Sequence, residues 1–194
     1  TANSQVVNRV VTYNFDENVW TTGTLDRSTW VGSTVYEKPY ATDYNSTDTP
    51  TFPSVNGVSN GASIYYAHEV GLNQKNGDGT ETAITSFTKS GEFDLNGRQG
   101  VPGDGEFLMS ISRFVPDFKR ISGNAKVTIF INAFPQGSVA ASSPLGPFTV
   151  SSSTTKINTR ARARLAAVQI ENESLDESWR YGTFRFDVRV DGRR

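Results

Sequence analysis

Arginine recurs at every second position in Thr159-Arg-Ala-Arg-Ala-Arg-Leu-Ala-Ala-Val-Gln-Ile170, a period of two that suits extended backbone and scatters around a helix. A strand over Thr159–Glu171 would set Arg160, Arg162 and Arg164 on one face as a ladder of planar forks suited to carboxylates or phosphates. Three guanidiniums cannot be buried there unpaired, so the face meets water, acidic side chains or an anionic partner. A second alternating segment, Thr183-Phe-Arg-Phe-Asp-Val-Arg-Val190, predicts Phe184, Phe186, Val188 and Val190 on a dry face and Arg185, Asp187 and Arg189 on a wet one.

The rest of the chain follows the same grammar. Short runs rich in Val, Ile, Thr, Phe and Tyr recur between Gly, Asn, Asp and Pro clusters, and helical periodicity is nearly absent, which predicts an all-β protein. Strands are expected at Val6–Phe15 and Val19–Leu25 around the turn Asp16-Glu-Asn18, and at Trp30–Tyr36 and Ser63–His68. Ala41–Asn60 and Asn73–Gly79 are expected to be loops. Six further strands are expected at Ile84–Phe93, Glu106–Phe114, Ala125–Phe134, Phe148–Asn158, Thr159–Glu171 and Trp179–Val190, with Asn172–Ser178 a connecting loop or helical turn. Within Val127-Thr-Ile-Phe-Ile131 the odd positions are expected to point inward. About a hundred residues with six or seven strands suits an antiparallel β-sandwich, expected over 89–194 with the boundary between Thr85 and Gly91.

Composition narrows the function classes. The 194 residues are enough for one large or two small domains that fold without covalent staples. The absence of Cys excludes disulfides, thiolate metal sites and a cysteine nucleophile. A net charge of −1 with 20% charged residues argues against a disordered tail or a generic nucleic-acid binder. The charge is unevenly placed: residues 1–90 hold 5 Lys+Arg against 9 Asp+Glu, and 91–194 hold 14 against 11. These halves of −4 and +3 suit contacts between neighbours, or simply two domains. No apolar run reaches the roughly 18 residues of a membrane span, and Thr1 in place of an initiator Met is expected of a processed product or part of a longer one.

No catalytic set, metal site or cofactor is expected. His68 and Glu69 are adjacent in an expected strand, so their side chains diverge and a structural role for the histidine is the simpler reading. No Gly-x-Ser-x-Gly or phosphate-cradling glycine loop followed by Lys occurs. Asn76–Gly79 with Glu81, Asp94–Gly97 and Gly103–Glu106 are acidic and glycine-bearing, but lack helix-loop-helix calcium spacing and read as turns. Asn45-Ser-Thr47 and Asn172-Glu-Ser174 match the glycosylation pattern. Trp20, Trp30 and Trp179, with Tyr13, Tyr65 and Tyr66, either stack on sugars or fill β-sheet cores. For the arginine ladder the alternatives are a solvated face pairing with Asp187, Glu171 or Glu173, a subunit boundary, or a phosphate backbone.

Several stretches, taken in order, carry a resemblance. Val10–Leu25 resembles a β-propeller blade hairpin, and Ser63–Gly71 the strand that follows it. Phe107–Phe118, Gly146–Val150, Thr159–Arg164 and Trp179–Arg194 resemble the closing portion of the tail-nozzle, or packaged-DNA stabilisation, proteins of short-tailed bacteriophages. The resemblance implies a propeller-blade-like segment over 1–88, either part of a larger propeller or something smaller, followed by the sandwich; about 90 residues cannot close a propeller alone. It also implies a virion location in a ring of identical subunits, commonly a hexamer, beneath portal and adaptor proteins, with packaged DNA passing without sequence-specific contacts. Arg160, Arg162 and Arg164 are expected at a subunit boundary of that ring. A carbohydrate-binding or carbohydrate-cleaving β protein and a kelch-like interaction module are the competing readings.

Overall fold

The computed structural model describes residues 8–25, 27, 29–42, 65–76, 79–95, 105–134 and 143–193. They form strands and turns, as the all-β expectation requires, in two units spanning Thr1–Thr82 and Ala83–Arg194. The second begins ahead of the expected 88/89 division, because Ser86–Lys89 pairs within it.

In the first unit β1 (Arg9–Asn14) and β2 (Val19–Thr24) form an antiparallel hairpin in which Asn14 faces Val19. Asn14 Oδ1 accepts from the backbone N–H groups of Asp16 and Glu17, and Asn18 adopts φ 53°, a left-handed conformation that Asn tolerates. β3 (Thr29–Val31), β4 (Tyr40–Thr42) and β5 (Tyr65–Ala67) form a three-stranded sheet with β4 in the middle and Ala41 buried at its centre. Two expectations fail here. The strand over Trp30–Tyr36 ends at Val31, and Tyr40–Thr42 is a central strand rather than the start of a loop; positions 43–60 lie outside the described residues. The expected loop at Asn73–Gly79 begins as β6 (Asn73–Lys75), paired with β7 (Glu81–Ala83). Side-chain amides hold this polar ribbon: Asn73 Nδ2 donates to Glu81 Oε2 at 2.7 Å, and Asn76 Nδ2 to the hydroxyls of Thr80 and Thr82 at 2.9 and 2.8 Å. Such cross-links supply what low β-propensity does not.

The second unit contains β8 (Ser86–Lys89), β9 (Phe107–Val115), β10 (Phe118–Ser122), β11 (Ala125–Asn132), β12 (Ser143–Val150), β13 (Ile157–Ala163), β14 (Leu165–Asn172), β15 (Ser178–Tyr181) and β16 (Arg185–Arg193). One sheet has the order β12-β11-β14-β8, another β13-β9-β16, and β10 pairs with β15. Their inner side chains share one core: Val127, Ile129, Val150, Val168 and Ile170 from the four-stranded sheet pack with Phe114 and Ile157 from the three-stranded one. Phe93, Phe184 and Phe186 close over it, with ring centroids 5.5–5.6 Å apart. Burial of a large apolar side chain contributes about 1.5–3 kcal/mol, so this cluster is the main source of the unit's stability.

Three strands expected from periodicity are each broken, the first of them Phe148–Asn158, where β12 ends at Val150, a turn follows, and β13 begins at Ile157 in another sheet. Thr159–Glu171 bends at Arg164, whose N–H donates to Asn132 O at 3.0 Å, so β13 and β14 enter different sheets. Trp179–Val190 breaks around Gly182, whose N–H donates to Asp117 O at 2.8 Å; a Cβ there would come within 2.9 Å of that same oxygen. Gly146, at φ 107°, lies beside a register shift between β11 and β12, where a Cβ would sit 2.8 Å from Val127 O. Only glycine fits that crossing.

Candidate interaction surface

The outward face of β13-β9-β16 gathers much of the charge that the sequence distributes. Ile157, Ala161 and Ala163 are buried, so alternation turns Asn158, Arg160 and Arg162 outward. On β16, Phe186 and Val188 pack on the core and Arg185, Asp187, Arg189 and Asp191 face out. Val190 does not join its expected apolar partners and is 62% exposed. β9 contributes Ser110 and Arg113, each outward beside a buried Met109, Ile111 or Phe114.

A bulge sets the rows. Arg113 faces both Asn158 and Asp187, and Ile111 faces both Ala161 and Val188, so Ser112 is an extra residue relative to β16. Between the same two rows β13 places both Thr159 and Arg160. Ser112 Oγ donates to Asp187 O at 3.4 Å. The added residue keeps Phe114 and Ile111 both inward, while Arg113 stays beside Asp187.

Acidic partners neutralise part of this face. Arg113 forms a close ion pair with Asp187, its cross-strand neighbour. Arg162 Nε lies 2.6 Å from Asp191 Oδ2, and its Nη2 donates to Asp191 O at 3.0 Å. Arg185 lies 3.6 Å from Asp117. Arg160 and Arg189 take no part in the ion pairs among the described residues. On the three strands, Arg113, Arg160, Arg162, Arg185 and Arg189 oppose Asp187 and Asp191, an excess of positive charge.

The ladder is therefore assembled differently from its sequence pattern. Arg160 and Arg162 share the face, but Arg164 leaves it: half-buried at the bend, it donates to the carbonyls of Gly105 and Glu106, the latter at 3.0 Å. The reason is the change of sheet at Ala163–Leu165, which ends the period of two. Of the suggested acidic partners, Asp187 pairs with Arg113 and Glu173 with Lys126, whereas Arg162 takes Asp191. Arg113 and Asp191 were missed because only register brings them beside the ladder.

The remaining candidates have structural neighbours. His68 rests on Trp30 with centroids 4.5 Å apart, and its Nε2 accepts from Arg27 Nε at 3.4 Å. Burial, and secondarily Arg27, lowers its pKa from the ordinary 6.5. Glu69 follows at φ 59° and makes no base pair with it among the described hydrogen bonds. Tyr13 stacks on Trp20, Tyr65 on Tyr40, and Arg27 lies 3.7 Å from the centre of the Tyr66 ring. Trp179 is half-buried and donates to Asn172 Oδ1 at 3.2 Å, so it belongs to the core rim. Among the described residues no group of three or more His, Cys, Asp or Glu is arranged to hold a metal ion. Of the acidic turns, Asn96–Asp104 lies outside the described residues, and Asp94 Oδ2 accepts from Gly105 N–H at 2.9 Å.

No protein-family model matches the chain, and no curated protein matches it.

Proposed function

We propose that the chain is a structural component of a bacteriophage virion tail, in a nozzle or head-to-tail ring that retains packaged DNA and conducts it on ejection. The resemblance in motif order suggests the setting, and the arginine-rich sheet face carries the assembly reading. In this reading 89–194 is an antiparallel β-sandwich and the preceding segment is propeller-blade-like. No helix among the described residues is long and apolar enough to cross a membrane.

Ring formation uses two unlike patches on each subunit. The excess charge of Arg160 and Arg189, with Arg162 beside them, offers one patch to an acidic surface of the next copy. Long-range attraction of this kind speeds association and selects register more than it adds affinity. Portal and adaptor proteins and the passing DNA are the further partners in this assignment.

Mass measurement in solution and electron microscopy test it. Closed rings are expected, and combined replacement of Arg160, Arg162 and Arg189 by Glu is expected to dissociate them while preserving the β-type circular dichroism. A persistently monomeric protein, or salt-resistant binding to duplex DNA, would count against the assignment. Exposure of Trp20 and Trp30, 66% and 51%, favours carbohydrate binding as a second reading. Glycan binding by a stable monomer, lost on Trp20→Ala or Trp30→Ala, would support that alternative.

A further inference from the structure

Two arginines face one another across the smallest sheet of the second unit. In the antiparallel pair β10–β15, Arg120 is directly opposite Arg180, and Ser122 is directly opposite Ser178. Residues two apart on a strand share a face, so both guanidiniums and both hydroxyls project the same way. Ile121 and Trp179 take the other face and pack on the core. Directly opposed strand positions have Cα atoms about 4.5–5.5 Å apart, and like charges in that relation destabilise the pair.

No ion pair among the described residues offsets this repulsion. Neither Arg120 nor Arg180 joins an ion pair among the described residues, and both are exposed. Glu177, adjacent to Ser178, directs Oε2 to the backbone N–H groups of Glu173 and Ser174. Asp117 is held near Arg185. Lys119, at the register shift on β10, adds a third exposed cation to this pair of strands.

We propose that this face binds a tetrahedral oxyanion of the phosphate class between Arg120 and Arg180, with Ser122 and Ser178 as additional donors. One guanidinium already satisfies the two oxygens of a carboxylate. A phosphate monoester carries about −1.5 to −2 charge and three strong acceptor oxygens, which matches two forks and neighbouring hydroxyls. Free phosphate and a phosphoryl ester share this chemistry. The site is separate from the proposed ring-forming patch and does not depend on the virion assignment.

Inorganic phosphate and phenyl phosphate, titrated separately into the full chain in chloride buffer at constant ionic strength, provide the test. Saturable phosphorus line broadening and a rising melting temperature are expected, with Arg120→Gln or Arg180→Gln weakening binding by about tenfold or more. Phosphate-free samples of either variant should melt no lower than the parent, because one repelling charge is gone; this distinguishes a lost site from a lost fold. Response to both probes assigns ester recognition, and response to inorganic phosphate alone assigns the free ion; either sustains the proposal. Absence of saturation in the parent, or an unchanged response in the double Gln variant, overturns it.

Discussion

Arg162 and Asp191 stand on opposite edge strands of the β13-β9-β16 sheet, yet their charged groups meet 2.6 Å apart above the central strand. Arg162 faces Ser110, whose small side chain leaves room for the guanidinium to cross diagonally toward β16. A bulkier residue at 110 would obstruct that route. The pair therefore ties three strands together on the face that the assembly proposal uses.

Its energetic effect is expected to be small. Arg162 and Asp191 are 61% and 46% exposed, so solvent screens the attraction, and Arg162→Ala should cost below about 1 kcal/mol in denaturant unfolding. A double-mutant cycle with Asp191→Ala should return a coupling of the same small size that declines in salt. A loss above about 3 kcal/mol would place this pair in a buried structural role instead.

Asn172 should matter far more. It is 5% exposed, donates to Ile84 O at 3.0 Å, and accepts from Ser86 Oγ and Trp179 Nε1 at 2.5 and 3.2 Å. Asn172→Ala removes three hydrogen bonds from a buried amide whose partners Ile84, Ser86 and Trp179 are exposed or half-buried, and is expected to cost about 1–3 kcal/mol, measured by chemical denaturation. The same burial makes Asn172 a poor acceptor for a glycan once the chain has folded, despite its sequence pattern. Ser174→Ala, which removes the pattern but none of these bonds, should remain within about 0.5 kcal/mol of the parent. The other matching site, Asn45, lies outside the described residues.

Tyr181 gives an alkaline signature. Its hydroxyl is buried without a hydrogen-bond partner among the described groups, and burial, followed by Asp117, raises its pKa above the ordinary 10.0. Unfolded chains begin to lose that proton near pH 10, while the folded chain retains it, so stability is full below that point and falls as pH rises toward the higher folded value. Tyr181→Phe should flatten this limb and add about 1 kcal/mol at neutral pH by removing the unsatisfied hydroxyl. Melting temperatures across pH 8 to roughly 11.5 test both effects; an unchanged alkaline slope would assign the dependence elsewhere.

Composition and alternation alone determined that the chain is all-β, that Val127, Ile129 and Ile131 point one way, and that Arg160 and Arg162 meet water. These follow from one local rule, because side chains two apart share a face and apolar faces seek cover. Sequence spacing does not encode which sheet a strand joins. The bend at Arg164, the break at Gly182, the extra residue at Ser112 and the pairing of Arg162 with Asp191 arise only when strands distant in the chain come into register. The opposition of Arg120 and Arg180 belongs to the same class: 60 positions separate them along the chain, and the β10–β15 pairing sets them face to face. Local periodicity chose the side on which each residue stands, whereas tertiary packing chose its neighbours, because backbone hydrogen bonds between strands specify register over distances that no local pattern reaches.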